Sequence, residues 1–369
     1  MLHTRRSFLQ TSSRGLGGLV FVGAALSMAA EPAACQTDRP LGIALVGLGN
    51  YSKGQLAPAL QQTTRCRLAG IVTGTPAKAE EWSQKYSIPA KNIYNYETFD
   101  AIADNPDIDI VYVVLPNAMH AEYTIRAARA GKHVICEKPM AVSAQECKDM
   151  IRACQEAGVK LSIGYRLHYD PFHREVMRIG QEQVLGKIKL IENSFGFRSI
   201  DWANWRFEHA LAGGGALMDV GVYCVNAACY MTGEQPVAIT AQEIKTYPQR
   251  FKDVDETLLW QMEFPGGAMA SCTTSYAIGV NRLLAHAEEG SFELQPSYGY
   301  GGIGGHIKGE ALSFKAINQQ AAQMDAFAQH ILEGTPNLVP GEMGLRDMQI
   351  IEAIYRAVAS RSREMVVYG

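Results

Sequence analysis

Residues 41–49 read LGIALVGLG and constrain the fold more than any other stretch. A continuous apolar run of this kind suits a strand buried on both faces. The glycines of Gly47-Leu48-Gly49 let the chain turn tightly at the strand end and bring bare backbone close to a phosphate. Asn50-Tyr51-Ser52-Lys53-Gly54 follows, and 55–62 can start a helix whose free amides face that phosphate. Ser52 takes the third position of the G-x-G-x-x-G pattern and is small enough for helix–strand packing. A partial fingerprint alone also fits a generic turn, so the context decides. CRLAGIVTG (66–74), IDIVYVVLP (108–116), GKHVICEKP (131–139) and VKLSIGYR read as further strands. Helical stretches at 76–86, AEYTIRAARA and Ser143–Ala157 separate them. The alternation predicts a parallel sheet covered on both faces, a Rossmann dinucleotide-binding domain over 41–162.

The end of the second strand bears on which dinucleotide fits. NAD sites commonly carry an acidic residue there for the ribose hydroxyls. This chain has Thr73-Gly74-Thr75 and then Lys78. Two hydroxyls and a cation, with no carboxylate to repel a 2′-phosphate, predict NADP; the alternative is that Lys78 is a solvated helix residue. The candidate cofactor residues are Gly47, Leu48, Gly49, Asn50, Tyr51, Thr73, Gly74, Thr75, Lys78, Pro116, Asn117, His120, Glu137, Lys138 and Arg166.

Beyond about residue 163 the pattern changes to strand-like runs joined by turns. These are GKIKLIENSFGFR, QPVAITAQEIKTYP, DETLLWQMEFPGG and AMASCTTSYA, with Phe264–Ala268 as a hairpin connection. They predict a C-terminal α+β domain, 163–369, built on a large and mainly antiparallel sheet. Glu137-Lys138-Pro139 ends a strand where a cofactor ring would lie, and a lysine there can assist deprotonation of a hydroxyl. LAGGGALMDVGVYCVNAACYMTG (211–233) has helical periodicity, and Asp219 and Tyr223 stand four apart on it. Tyr223 is a candidate proton-transfer group, although a phenol with an ordinary pKa near 10 needs a nearby cation. Asp219 can orient the substrate or Lys138. The plainer alternatives are a packed aromatic, a capping aspartate and a surface lysine. Trp202, Trp205 and Arg206 suit a sugar ring and its hydroxyls as well as a core or interface. His209 has no companion at metal-ligand spacing, so no metal is expected. The glycine-rich SYGYGGIGGHIKG (297–309) lacks a Walker ending and either covers the site or borders an interface. Helices are expected at 316–334 and 342–360, with Asp325 and His330 facing either a pocket or solvent.

Residues 1–30 follow the plan of an export leader: Arg5-Arg6-Ser7-Phe8-Leu9, an apolar stretch, then small residues. The paired arginines resemble the twin-arginine signal, which carries folded proteins and would allow a cofactor to be loaded before export to the periplasm. Cleavage fits before Ala30 or before Cys35, leaving a short arm that ends at residue 40. No stable membrane insertion is expected after export, because the apolar stretch falls short of the roughly 20 residues of a span. Lys and Arg total 34 against 37 Asp and Glu, a formal charge of −3, with no basic tract for nucleic acid. Among the 8 cysteines, those in apolar runs predict buried thiols rather than a disulfide framework.

Glu137-Lys138-Pro139, with Gly213-Gly214-Gly215-Ala216-Leu217-Met218-Asp219-Val220-Gly221-Val222-Tyr223, resembles the Gfo/Idh/MocA oxidoreductase family, from Leu41 to the C terminus. Many members have histidine in place of Tyr223. The tyrosine, the Gly47–Ser52 loop, Ile163-Gly164-Tyr165-Arg166-Leu167-His168-Tyr169-Asp170-Pro171 and the leader are similar to the glucose–fructose oxidoreductase branch. The resemblance implies tightly held NADP and a ping-pong cycle: one sugar is oxidised at C1 to its lactone, and a second is reduced to an alditol. It assigns Lys138 and Tyr223 as catalytic residues with Asp219 beside them. Arg166 and Tyr165 would shape the junction of cofactor and sugar, and the large sheet would serve as the interface of a homodimer or homotetramer. An extended arm helps enclose the cofactor in the branch's exported representative, whereas only about 10 residues are available here. An exported NADP-dependent sugar dehydrogenase with exchangeable cofactor is therefore one alternative, and a nonenzymatic NADP or sugar sensor is another.

Overall fold

A computed structural model describes residues 39–198 and 204–369. The expected leader, the arm up to residue 38, Cys35 and Trp202 lie outside the described residues. The first sheet contains β1 (Leu41–Val46), β2 (Cys66–Val72), β3 (Ile93–Tyr94), β4 (Ile110–Val113), β5 (His133–Cys136) and β6 (Leu161–Ile163). All neighbours are parallel, in the order β3-β2-β1-β4-β5-β6. The order reverses between β1 and β4, and the crevice at their C-terminal ends is where such sheets bind ligands. Five of these strands match the expected apolar runs. The sixth, β3, has two residues and is too short to show a period.

The apolar run of β1 follows from burial on both faces. Ala44 and Val46 join one core, and Leu41, Ile43 and Leu45 the other. The first core includes α3 (His120–Arg129) and α4 (Ala144–Glu156). The second is closed by α1 (Ala57–Leu60), Trp82 of α2 (Pro76–Tyr86) and, less expectedly, α8 (Gln319–Glu333). Met324 and Phe327 of α8 are buried against the first sheet, worth about 1.5–3 kcal/mol each. Asp325 fastens that helix by accepting hydrogen bonds from the Thr64 and Arg65 amides at 2.9 and 2.8 Å. A helix placed with the second domain by chain order thus covers the first.

Among the described residues, the second sheet has nine strands in the order β14-β13-β12-β11-β7-β10-β9-β8-β15. They are β7 (Ile188–Gly196), β8 (Ala238–Ile244), β9 (Thr257–Glu263), β10 (Met269–Ser275), β11 (Val280–Ala287), β12 (Gly290–Leu294), β13 (Gly305–Ile307), β14 (Glu310–Ala311) and β15 (Glu364–Met365). Only β7 and β10 run parallel; the other pairs are antiparallel. The β9–β10 turn is the expected hairpin, closed by Phe264 N donating to Ala268 O at 3.0 Å. Along β9, Leu258, Trp260 and Met262 are buried while Leu259 and Gln261 face out.

Helices α5 (Pro171–Gln181), α7 (Val222–Thr232) and α9 (Gly341–Ser360) pack with this sheet, and the single turn α6 (His209–Ala212) precedes α7. Every residue of α7 from Val222 to Met231 is buried. The run 209–232 is long and apolar enough to cross a membrane by composition, but 78% of its most apolar window is buried inside the protein, as in a core helix. Its glycine entry is a close-packing device: a Cβ on Gly215 would stand 2.0 Å from Asp255 O. Seven described cysteines, Cys66, Cys136, Cys147, Cys154, Cys224, Cys229 and Cys272, are buried free thiols.

Candidate active site

The C-terminal edge of the parallel sheet and the helix-bearing side of the second sheet enclose a cavity of about 1100 Å³. That is ample for a dinucleotide and a small polar ligand together. Every candidate cofactor and catalytic residue from the sequence lines it.

At the inner end, β5 delivers Glu137 and Lys138, while the helix across the cavity delivers Asp219 and Tyr223. Asp219 lies in a π-helical stretch, Leu217–Gly221, that runs into α7. The expected four-residue pair is therefore preserved across a change of helix type. Lys138 Nζ donates to Asp219 O at 2.6 Å and to Asp219 Oδ1 at 3.3 Å. The same ammonium sits 4.8 Å from the centre of the Tyr223 ring, and the Arg166 guanidinium sits 5.4 Å from it. Asp219 Oδ2 also accepts from Arg206 Nε at 3.0 Å and from the Tyr276 hydroxyl at 2.9 Å. Burial alone would raise the Asp219 carboxyl; Arg206 and Lys138, with the Tyr276 hydroxyl, reverse this and hold it well below the usual carboxylate range. The group is thus a fixed anion that orients two cations.

Glu137 behaves oppositely. Burial pushes its carboxyl above the ordinary value against the pull of the Tyr112 hydroxyl and of Lys138. Its Oε1 accepts from Tyr112 at 2.7 Å, and Gln323 of α8 donates to that tyrosine at 3.1 Å.

At the outer end the residues fit a dinucleotide. A Cβ on Gly47, which has φ of +94°, would stand 2.4 Å from Val114 O, whereas one on Gly49 would meet nothing within 4 Å. The first glycine lets the loop pack on the sheet, and the second leaves space for a ligand. Ser52 is fully buried and donates to Gly47 O at 2.6 Å, so the residue in the third glycine's place ties the loop down. Thr73 Oγ1 accepts from the Thr75 amide at 3.2 Å. Lys78 reaches back to Leu48 O at 3.2 Å, which brings its charge beside the glycine loop and Gly74. Among the described residues, the carboxylates lining the cavity, Glu137 and Asp219, both lie at the inner end.

Some expected residues act through other groups. The Asn117 amide donates to Ala212 O at 2.8 Å. Both ring nitrogens of His120 face main-chain carbonyls, Pro139 O and Leu115 O, at 2.9 Å. Burial holds that ring below its usual pKa, so it is neutral and its one N–H serves one of the two carbonyls. Both residues brace the cavity wall. Tyr165 is buried away from the cavity rather than at the cofactor–sugar junction. Asp325 and His330 are also remote from it: Asp325 clasps the Thr64 turn and His330 contacts Thr335 O. His209 is exposed, and no cluster of three or more metal-ligating residues occurs among the described residues. Tyr276 and Asn281 give no sequence signal, since each is one polar or aromatic residue in an ordinary strand or loop, whereas Tyr298 belongs to the glycine-rich 297–309 segment, which lines the cavity through Tyr298, Gly299 and Tyr300.

Three comparisons bear on this geometry. Residues 41–165 match an oxidoreductase family with an NAD-binding Rossmann fold, and 173–293 match the GFO/IDH/MocA C-terminal domain. The chain is similar to the crystal structure of aldose-aldose oxidoreductase from Caulobacter crescentus, with TM-score 0.86 and 41% identity over 89% of this chain and 100% of that one. It is 28% identical to D-xylose 1-dehydrogenase [NADP(+)] of Haloarcula marismortui, over 88% of this chain and 93% of that protein. It is 26% identical to the dTDP-3,4-didehydro-2,6-dideoxy-alpha-D-glucose 3-reductase of Actinomadura kijaniata, over 85% and 95%. Paired with a Rossmann domain whose crevice opens onto a large mixed sheet, these matches place the protein: it is an NAD(P)-dependent sugar oxidoreductase and belongs to the Gfo/Idh/MocA family.

Proposed function

We propose that the protein holds NADP tightly and passes reducing equivalents between two sugars, oxidising an aldose at C1 to its lactone and reducing a second sugar to an alditol. The observation that carries this reading is the inner cluster, in which Lys138 is locked to Asp219 and lies over the Tyr223 ring. A bound nicotinamide would supply the hydride acceptor and donor. Tyr223 Oη takes the proton from the C1 hydroxyl of the first sugar and returns one to the carbonyl oxygen of the second. The positive field of Lys138 and Arg166 stabilises charge developing on that oxygen. Asp219 keeps Lys138 and Arg206 in place and stays ionised. Trp205, with the Arg206 guanidinium 4.4 Å from its ring centre, walls the side where the sugar enters.

The choice of NADP rests on Thr73, Thr75 and Lys78 at an outer end with no carboxylate among the described residues, and on the NADP-dependent relative. Sugar-to-sugar transfer is favoured by the 41% identity to an aldose-aldose oxidoreductase. The likeness to D-xylose 1-dehydrogenase favours a second reading, a dehydrogenase with exchangeable coenzyme. The paired arginines of residues 5–6 support export of the folded protein to the periplasm. Exposed Leu259 and Met269 on the outer face of the second sheet support assembly into a dimer or tetramer. Incubation with an aldose and a second sugar, and no added coenzyme, tests the transfer: lactone (or its acid) and alditol must accumulate in equal amounts. No product without added NADP would favour the dehydrogenase.

A further inference from the structure

The loop between β12 and β13, residues 295–304, crosses from the second sheet to the mouth of the cavity, and its two halves are held differently. The first half is bolted down. Ser297 N and Tyr298 N donate to Asn281 Oδ1 at 2.8 and 2.9 Å, and the Tyr298 hydroxyl donates to Asn193 Oδ1 at 2.5 Å. His173, kept neutral by burial that lowers its pKa to about 4, faces Ser297 O with Nε2 at 2.7 Å. Arg166 then clasps two successive carbonyls, Tyr298 O at 2.7 Å and Gly299 O at 2.9 Å.

Past Gly299 this support ends. The backbone of Tyr300–Gly302 makes no hydrogen bond among the described residues. Gly302 has φ of +68°, and a Cβ on Gly301 or Gly302 would meet nothing within 4 Å. Among the described residues, the tip is held instead by one aromatic ring. Tyr300, 53% exposed, packs 5.8 Å from Tyr51 of the dinucleotide loop, centre to centre, and its ring lies 4.5 Å from the Arg166 guanidinium. Tyr51 and Tyr300 come from opposite sides of the cleft, and both line the cavity.

We propose that Tyr300 is a latch: the glycine-flanked tip closes the cleft over the coenzyme by seating Tyr300 against Tyr51 and Arg166, and coenzyme leaves only when that ring lifts. The proposal rests on the NADP assignment above and deepens it by naming what retains the coenzyme. Aromatic and cation–π contacts are strong enough to keep such a tip closed most of the time and weak enough to release it. The rigid half of the loop fixes where the ring returns, because Arg166 holds the loop backbone and the Tyr300 ring at once.

The test is the rate of NADPH release, read from nicotinamide fluorescence after the NADPH-loaded protein is diluted into excess NADP. Tyr300→Ala and Tyr300→Leu are expected to release NADPH at least about tenfold faster than wild type. Tyr300→Phe, which keeps the ring, is expected to stay within about twofold of wild type. Two variants guard against misfolding, and each is checked by circular dichroism before release is measured. Folded Tyr300→Ala and Tyr300→Leu proteins that release NADPH at the wild-type rate would overturn the latch and leave the NADP assignment standing. A wild-type protein that does not bind NADPH would overturn the NADP assignment and the latch with it.

Discussion

Lys138 and Asp219 are joined twice, once through the aspartate's backbone carbonyl at 2.6 Å and once through its carboxylate at 3.3 Å. The backbone contact depends on the path of the π-helical stretch, and the carboxylate contact depends on charge. A substitution that removes only the charge therefore leaves the lysine tethered. Arg206 and Tyr276, which share the other carboxylate oxygen, would lose an anionic partner in the same variant.

Asp219→Asn should accordingly fold and bind coenzyme but lose turnover by about 10²-fold, the scale of a displaced acid–base group. It should also lose about 3 kcal/mol of stability at neutral pH, because two cations keep their burial without their anion. The sign of the pH dependence follows from the depressed carboxyl. Its contribution is complete above the unfolded-state value near 4 and is lost as pH falls through the lower folded-state value. The stability gap between wild type and Asp219→Asn, measured by urea unfolding, should be flat between about pH 5 and 8 and narrow below about 4.

Tyr223→Phe isolates the proposed proton-transfer group. The ring still packs between Lys138 and Arg166, so coenzyme affinity should be unchanged while turnover falls by about 10²–10⁴-fold. Stopped-flow reduction of bound coenzyme by sugar measures this step without product release, and an undiminished rate would remove Tyr223 from the mechanism.

Lys78→Ala addresses the outer end. Loss of its charge should raise the Kd for NADP about tenfold, equivalent to about 1.4 kcal/mol, while the Kd for NAD changes little. Equal effects on both nucleotides, read by fluorescence titration, would mean that Lys78 serves the loop through Leu48 O and not the 2′-phosphate.

The parallel sheet was legible because β1 is buried on both faces and therefore continuously apolar, and because helices alternate with strands at regular spacing. Lys138, Asp219 and Tyr223 were legible because polar residues interrupt apolar stretches. Other features depend on contacts between distant segments. Asp325 and Gln323 on α8 face the first domain, which no local period reveals. Tyr276 reaches Asp219 across 57 residues of chain, and Tyr165, adjacent to the cavity-lining Arg166, turns into the core. Asn117 and His120, expected to bind the cofactor, line the cavity, but the bonds they make to main-chain carbonyls come from the fold and not from their spacing.

The central claim is that one coenzyme stays bound while two sugars take turns. It is tested most directly by purifying the protein without added coenzyme, recording its nicotinamide absorbance, and adding an aldose such as glucose alone and then a second sugar. The account predicts that bound NADP is reduced once per active site by the first sugar and reoxidised only when the second arrives. Protein that emerges free of coenzyme and reduces added NADP continuously with one sugar would contradict it.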